Sequence, residues 1–192
     1  MKKLLIILSI MALSLSACTN NGASNGDPEA SPSIPEVTAA DWSKGNLESE
    51  IVLVEYSDFQ CPACKARLPL IEKVLEEFSS HIKFVYRHMP LTSIHNNAMM
   101  AAQATEAAGM QDKFWEMHDM LFEKQSEWSG LSKSDFRDEL VVYAEEIALD
   151  TVKFAEDLES GAVEDLVDED RDGAKEAEVN STPTFYFNGE QI

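Results

Sequence analysis

Cys61 and Cys64, in Ser57-Asp58-Phe59-Gln60-Cys61-Pro62-Ala63-Cys64-Lys65, are the residues whose type and spacing could do chemistry. Two thiols separated by two residues can form and pass on a disulfide: one attacks, and the other resolves the mixed disulfide that results. The flanking sequence says what positions them. An unbroken apolar run, Ile51-Val52-Leu53-Val54, comes before them, and Leu68, Ile71, Val74, Leu75 and Phe78 recur at helical spacing after them. A buried strand over 51–56 therefore feeds a helix over 61–78, with both cysteines on its first turn. A helix start carries unpaired N–H groups and partial positive charge, and Pro62 falls where a missing N–H is tolerated. A thiolate at Cys61 can accept those N–H bonds, which favours the ionised nucleophile. Cys64, one turn on and more buried, is placed to resolve.

Two other readings of the pair stay open at this level. It could be half of a zinc site, but tetrahedral zinc needs about four ligands. The chain offers one further cysteine, Cys18, and its four histidines show no spacing that completes a site, so no metal is assigned. It could also be a static bridge, although a loop this small constrains the unfolded chain little.

Glu55 interrupts the apolar strand. A carboxylate there is either exposed at the strand end or buried beneath the cysteines, where it would tune or relay their protons. Following the first helix, His81 to His88 alternates as a second strand ended by Met89-Pro90-Leu91. From about Ser93 to Glu178 the pattern is helical almost throughout, and Asp150 is placed to cap one of the helices. His118 reads as a packed helix residue, and the acidic residues between Glu164 and Glu178 read as a solvated face. Thr184–Phe187 is a strand, Asn188-Gly189 is a strong hairpin turn, and Glu190-Gln191-Ile192 begins the return strand. Phe185 and Phe187 alternate with Tyr186, so rings are expected on both sheet faces, with at least one poorly covered.

The beginning of the chain has a different character. Lys2 and Lys3 precede an apolar run from Leu4 to Leu15, and Leu15-Ser16-Ala17-Cys18 follows. Small residues before a cysteine resemble the bacterial lipobox, in which the cysteine is lipidated. Residues 1–17 are therefore read as a lipoprotein signal peptide and Cys18 as the anchor, with an ordinary signal peptide as the alternative. Residues 19–40 are rich in Asn, Gly, Ser and Pro and read as a flexible tether, so 18–40 links the anchor to a domain over 41–192. That arrangement places the domain outside the cytoplasm at a cell envelope or periplasm, an oxidising setting. The net charge of −20 argues against binding nucleic acid through phosphates.

Taken together, these segments resemble the thioredoxin superfamily and, within it, the DsbA-like thiol–disulfide oxidoreductases. The resemblance rests on Cys61-Pro62-Ala63-Cys64 at a helix start, a helical insertion over about 93–178, and Thr182-Pro183-Thr184-Phe185 before a hairpin. Arg87-His88-Met89-Pro90-Leu91 and His95-Asn96-Asn97-Ala98 also look like the family's connecting segments. It implies an α/β thioredoxin-like fold in which Cys61 is the nucleophile, Cys64 the resolving thiol and Glu55 the buried acid. Pro62, Ala63, Thr182 and Pro183 would contact substrate, with Pro183 in the cis form. It further implies a redox-active Cys61–Cys64 disulfide and no other cofactor. Exported cysteine-containing proteins would be the substrates, and a membrane redox partner would reset the pair. Exchange in the oxidase direction is the leading expectation. A reductase or isomerase of the same fold, or a non-catalytic partner-binding lipoprotein, are the alternatives. The intervening pair is Pro-Ala where the best-known DsbA proteins have Pro-His. The family also continues past this hairpin with a strand and a closing helix, so the chain is expected to be C-terminally truncated.

Overall fold

The computed structural model describes residues 33–192. Residues 1–17, read as a signal peptide, Cys18, read as its anchor, and most of the stretch read as a tether lie outside the described residues. Five strands and seven helices follow in the order β1 (Trp42–Gly45), β2 (Val52–Ser57), α1 (Pro62–Phe78), β3 (Lys83–His88), α2 (Ala98–Gly109), α3 (Phe114–Glu123), α4 (Gln125–Trp128), α5 (Lys133–Glu146), α6 (Thr151–Leu158), α7 (Gly161–Glu176), β4 (Thr184–Phe187) and β5 (Glu190–Gln191). This is the mixed α/β, thioredoxin-like architecture with a helical insertion that the sequence implies.

The sheet order is β1-β3-β2-β4-β5, with β2 in the centre. β2 and β3 run parallel, as a strand–helix–strand crossover through α1 requires. The pairs β1–β3, β2–β4 and β4–β5 are antiparallel. Asn188 and Gly189 have φ of 48° and 84°, the left-handed pair that a two-residue hairpin turn demands. Asp150 Oδ1 accepts hydrogen bonds from the Val152 and Lys153 N–H groups, capping α6.

The two-residue period of the strands decides which side chains meet the cysteines. Phe84 and Tyr86 of β3 enter the larger core, formed with α1 and the insertion helices, and Leu53 and Phe185 pack against it. Val54, Tyr56, Val85 and Tyr186 point to the opposite face, where Ala174 of α7 covers them. Glu55 and Ser57 stand in register with Leu53, so they share the face that α1 covers. Rings do lie on both faces of β4: Tyr186 is buried while Phe187 is 45% exposed.

Three expectations need correction. Residues 34–40 are not free tether: Ile34 and Val37 pack on the second face of the sheet. The Arg87 guanidinium donates to the Pro35 and Glu36 carbonyls and to Asp41 Oδ1. The pull of a buried cation on backbone carbonyls leaves no trace in local composition, which is why this stretch reads as linker. Trp42–Gly45 is an additional edge strand, too short to show alternation, and the strand read over 81–88 begins at Lys83. Lastly, Asp170 leaves the solvated acidic face: its Oδ2 accepts the His88 N–H at 2.7 Å, and burial raises its pKa to about 6.

Candidate active site

Cys61 is the N-cap of α1 and Pro62 its first residue, so the helix begins where the sequence places it. Both cysteines are free thiols. Cys61 is 7% exposed and Cys64 1%, and Pro62 and Ala63 lie exposed between them. Both cysteines are buried, Cys64 the more deeply of the two. The sulfur of Cys61, however, makes no capping hydrogen bond. Its Sγ lies 3.5 Å from the Thr182 carbonyl oxygen and donates to it. A protonated thiol is a donor seeking an acceptor, whereas a thiolate would accept from the helix. The Thr182–Pro183 bond is cis. Cys61, Pro62, Ala63, Thr182 and Pro183 thus come together from two segments 121 residues apart in sequence.

Cys64 lies in a different environment. Burial is the largest influence on its thiol and pushes the pKa up to about 12; Ser57, the Asp58 backbone and Thr182 oppose that rise. Glu55 is buried, which settles it as an interior acid and not an exposed strand end. Its pKa is raised to about 7 by burial, against a lowering hydrogen bond from Ser57 and the charge of Arg67. Ser57 Oγ donates to Glu55 Oε1 at 2.7 Å. Ser57 is also among the groups that lower the Cys64 thiol pKa, so it lies close to both the acid and Cys64.

Several residues that hold this geometry escaped the sequence reading. The buried carboxylate of Asp58 accepts from the Gln60 and Leu91 N–H groups and pairs with His95 Nδ1 at 2.7 Å. It thereby ties the turn before α1 to the turn after β3. The Asp58-to-Gln60 bond is a local Asx turn, a signal available in principle from an Asp two residues ahead of a tight turn. Gln60 Nε2 donates to the Ser129 carbonyl, and its Oε1 accepts from Asn97 N–H. Gln125 Nε2 donates to both the Phe59 and Cys61 carbonyls, at 2.7 and 3.0 Å. Contacts spanning 64 and 66 residues carry no local signature. Replacing Gln125 with alanine should leave two carbonyls of the active-site turn without a partner. The expected cost is about 1–3 kcal/mol, read as a lower denaturant midpoint, together with faster alkylation of Cys61.

A redox-capable cysteine pair at the N-terminus of a helix, facing a cis-proline loop on a β-sheet, defines a thioredoxin-like protein. A family profile described as Thioredoxin matches residues 37–192. The chain belongs to the thioredoxin family. It is 42% identical over 158 residues to "Na(+)/H(+) antiporter NhaA 1" of Salinispora arenicola, covering 81% of this chain and 23% of that protein. It is 37% identical over 153 residues to the protein of the same name from Mycolicibacterium vanbaalenii, covering 78% of this chain and 23% of the relative. The chain therefore spans about a quarter of the length of these curated relatives.

Among solved structures it is similar to oxidised BdbD from Bacillus subtilis, with a TM-score of 0.70 and 24% identity, covering 79% of this chain and 83% of that one. It is likewise similar to a thioredoxin-like oxidoreductase from Silicibacter pomeroyi, with a TM-score of 0.67 and 24% identity over 81% and 84% of the two chains. Alpha-DsbA1 from Wolbachia pipientis gives a TM-score of 0.70 at 19% identity over 79% and 76% of the chains. These likenesses show the fold, shared with DsbA-like structures. Among the described residues no helix is long and apolar enough to cross a membrane.

Proposed function

We propose that this chain is an extracytoplasmic thiol–disulfide oxidoreductase that donates a Cys61–Cys64 disulfide to exported proteins. The observation that carries the reading is the placement of Cys61 Sγ against the Thr182 carbonyl beside cis-Pro183. An extended substrate laid along that loop finds backbone groups beside the reactive sulfur. A substrate thiolate attacks Cys61 Sγ, the Cys61–Cys64 bond breaks, and Cys64 leaves with the electron pair and takes a proton. A second substrate thiolate then attacks the substrate sulfur and expels Cys61 as a thiolate. Substrate leaves oxidised by two electrons and the pair is left as a dithiol. A membrane partner that presents its own disulfide restores it. The reading needs no cofactor beyond this pair.

The oxidase direction draws support from the leader read over residues 1–17, which sends the domain to a compartment where disulfides persist. Cys18 is proposed as the lipidated anchor, and the polar stretch after it as the reach from the membrane to substrates. The test uses the oxidised chain and a reduced peptide with two cysteines. Oxidation of the peptide matched by two new thiols on the protein is the expected result. A peptide left reduced while the protein instead reduces insulin would overturn the oxidase direction. In cells, Cys18→Ser should move the protein out of the membrane fraction, and an unchanged membrane fraction would overturn the anchor.

A further inference from the structure

When a partner disulfide restores the pair, Cys64 resolves the mixed disulfide on Cys61 and gives up one proton, and the interior of the fold offers a route for it. Against Glu55 lies a cavity of about 40 Å³ whose lining includes Lys44, Leu68, Trp115, His118 and Asp119 and neither cysteine. A water needs about 10–15 Å³ measured this way, so the space admits water next to the carboxyl group. His118 of α3 is buried in a cage of rings, edge-on to Phe59, Tyr86 and Phe122. A leucine or phenylalanine would fill such a cage without the cost of burying a polar ring. Its Nδ1–H donates to Asp119 Oδ1 at 2.7 Å, and the Asp119 side chain is 55% exposed. That bond fixes the neutral tautomer whose Nε2 is an acceptor, and Nε2 has no protein partner among the described residues. The ring therefore sits with one nitrogen on an exposed carboxylate and the other free to accept.

We propose that His118, backed by Asp119, is the outer relay through which Glu55 passes the Cys64 proton to solvent. The inference rests on the exchange reading above and extends it. In the resolving step Cys64 attacks Cys61, which is held in a mixed disulfide. The bond from Cys61 to the outgoing sulfur breaks, the Cys61–Cys64 bond forms, and the outgoing thiolate takes a proton from bulk water. The Cys64 proton moves through the Ser57 hydroxyl to the Glu55 carboxylate. From there it crosses the cavity to His118 Nε2, while the Nδ1 proton passes to Asp119 and out. Burial lowers the His118 pKa, with Asp119 opposing, so the ring is neutral and able to accept at neutral pH. The other charged and titratable groups around Glu55 are Arg67 and Glu72 from α1, Lys44 from β1, and Tyr86 from β3. Lys44 and His88 also bear on His118.

The experiment loads Cys61 of the full chain with glutathione as a mixed disulfide and follows glutathione release by Cys64 in a single turnover. His118→Phe keeps the cage filled and should slow release about tenfold near pH 7, below the hundredfold or more of a group acting on the reacting atom itself. In a Glu55→Gln background the same substitution should change nothing further. Added imidazole should restore release in His118→Ala only when Glu55 is present. An unchanged rate in His118→Phe, or the same slowing with and without Glu55, would overturn the proposal. Should His118→Phe fail to fold, Asp119→Asn at the surface carries the test: slowing that depends on Glu55 supports the relay, and no slowing overturns it. If the wild-type chain releases no glutathione, it is the exchange reading itself that falls, and the relay with it.

Discussion

Cys61→Ala is expected to abolish disulfide exchange, lowering turnover by about three orders of magnitude or more, as loss of a nucleophile does when residues act as a unit. Cys64→Ala should behave differently, although it removes the same kind of group. The Cys61 thiol remains and can attack the disulfide of an oxidised substrate or partner, whose other sulfur leaves as a thiolate; no Cys64 thiol is left to resolve that adduct, so a stable mixed disulfide on Cys61 should accumulate. The asymmetry follows from position. Cys61 caps the helix beside the Thr182 carbonyl, while Cys64 is buried with a thiol pKa pushed up to about 12 by that burial. Non-reducing electrophoresis and intact mass would show a substrate-sized adduct on Cys64→Ala and none on Cys61→Ala. Equal adduct formation in both variants would contradict the assigned roles.

Glu55→Gln is expected to change both stability and its pH dependence. The Glu55 pKa rises from 4.5 to about 7, with burial the largest cause. Between those values the folded state holds a proton that the unfolded state has released. The favourable contribution is thus full below about pH 4.5 and is lost as pH rises through about 7, after which the curve levels. The loss amounts to about 3 kcal/mol. Asp170, raised from 3.8 to about 6 by burial, adds a change of the same sign and nearly the same size. Glu55→Gln should remove about half of this slope and be the more stable protein at pH 8, while resolving mixed disulfides more slowly. Denaturant melts at pH 5, 6, 7 and 8 would show it. An unchanged slope would mean that Glu55 does not carry the buried charge.

What was legible in the sequence was local and periodic. The helix start at Cys61, the Asp150 cap and the Asn188-Gly189 turn each declare themselves within a few residues, and the structure has them in place. Glu55 was visible as an acid in an apolar strand, but not its fate, which depends on what α1 and α3 lay over it. Nothing in the sequence around Ser57 marks it; the strand's alternation puts it on the face of Glu55, near Cys64. Gln125, Gln60 and Asn97 hold the active-site turn through bonds that cross more than thirty residues. Arg87 likewise draws residues 35–41 onto the sheet, although their composition is that of a linker. Such side-chain-to-backbone bonds are fixed by the assembled fold and are not encoded in the composition of either segment.

A redox titration of the Cys61–Cys64 pair against glutathione buffers tests the central claim most directly, with the two thiols counted by alkylation and mass. The account predicts one reversible two-electron transition in which both thiols appear together. Its midpoint should lie nearer the value of about −120 mV of strongly oxidising pairs than the value of about −270 mV of reducing ones. Two cysteines that remain thiols across the whole range, or that alkylate independently of one another, would contradict it.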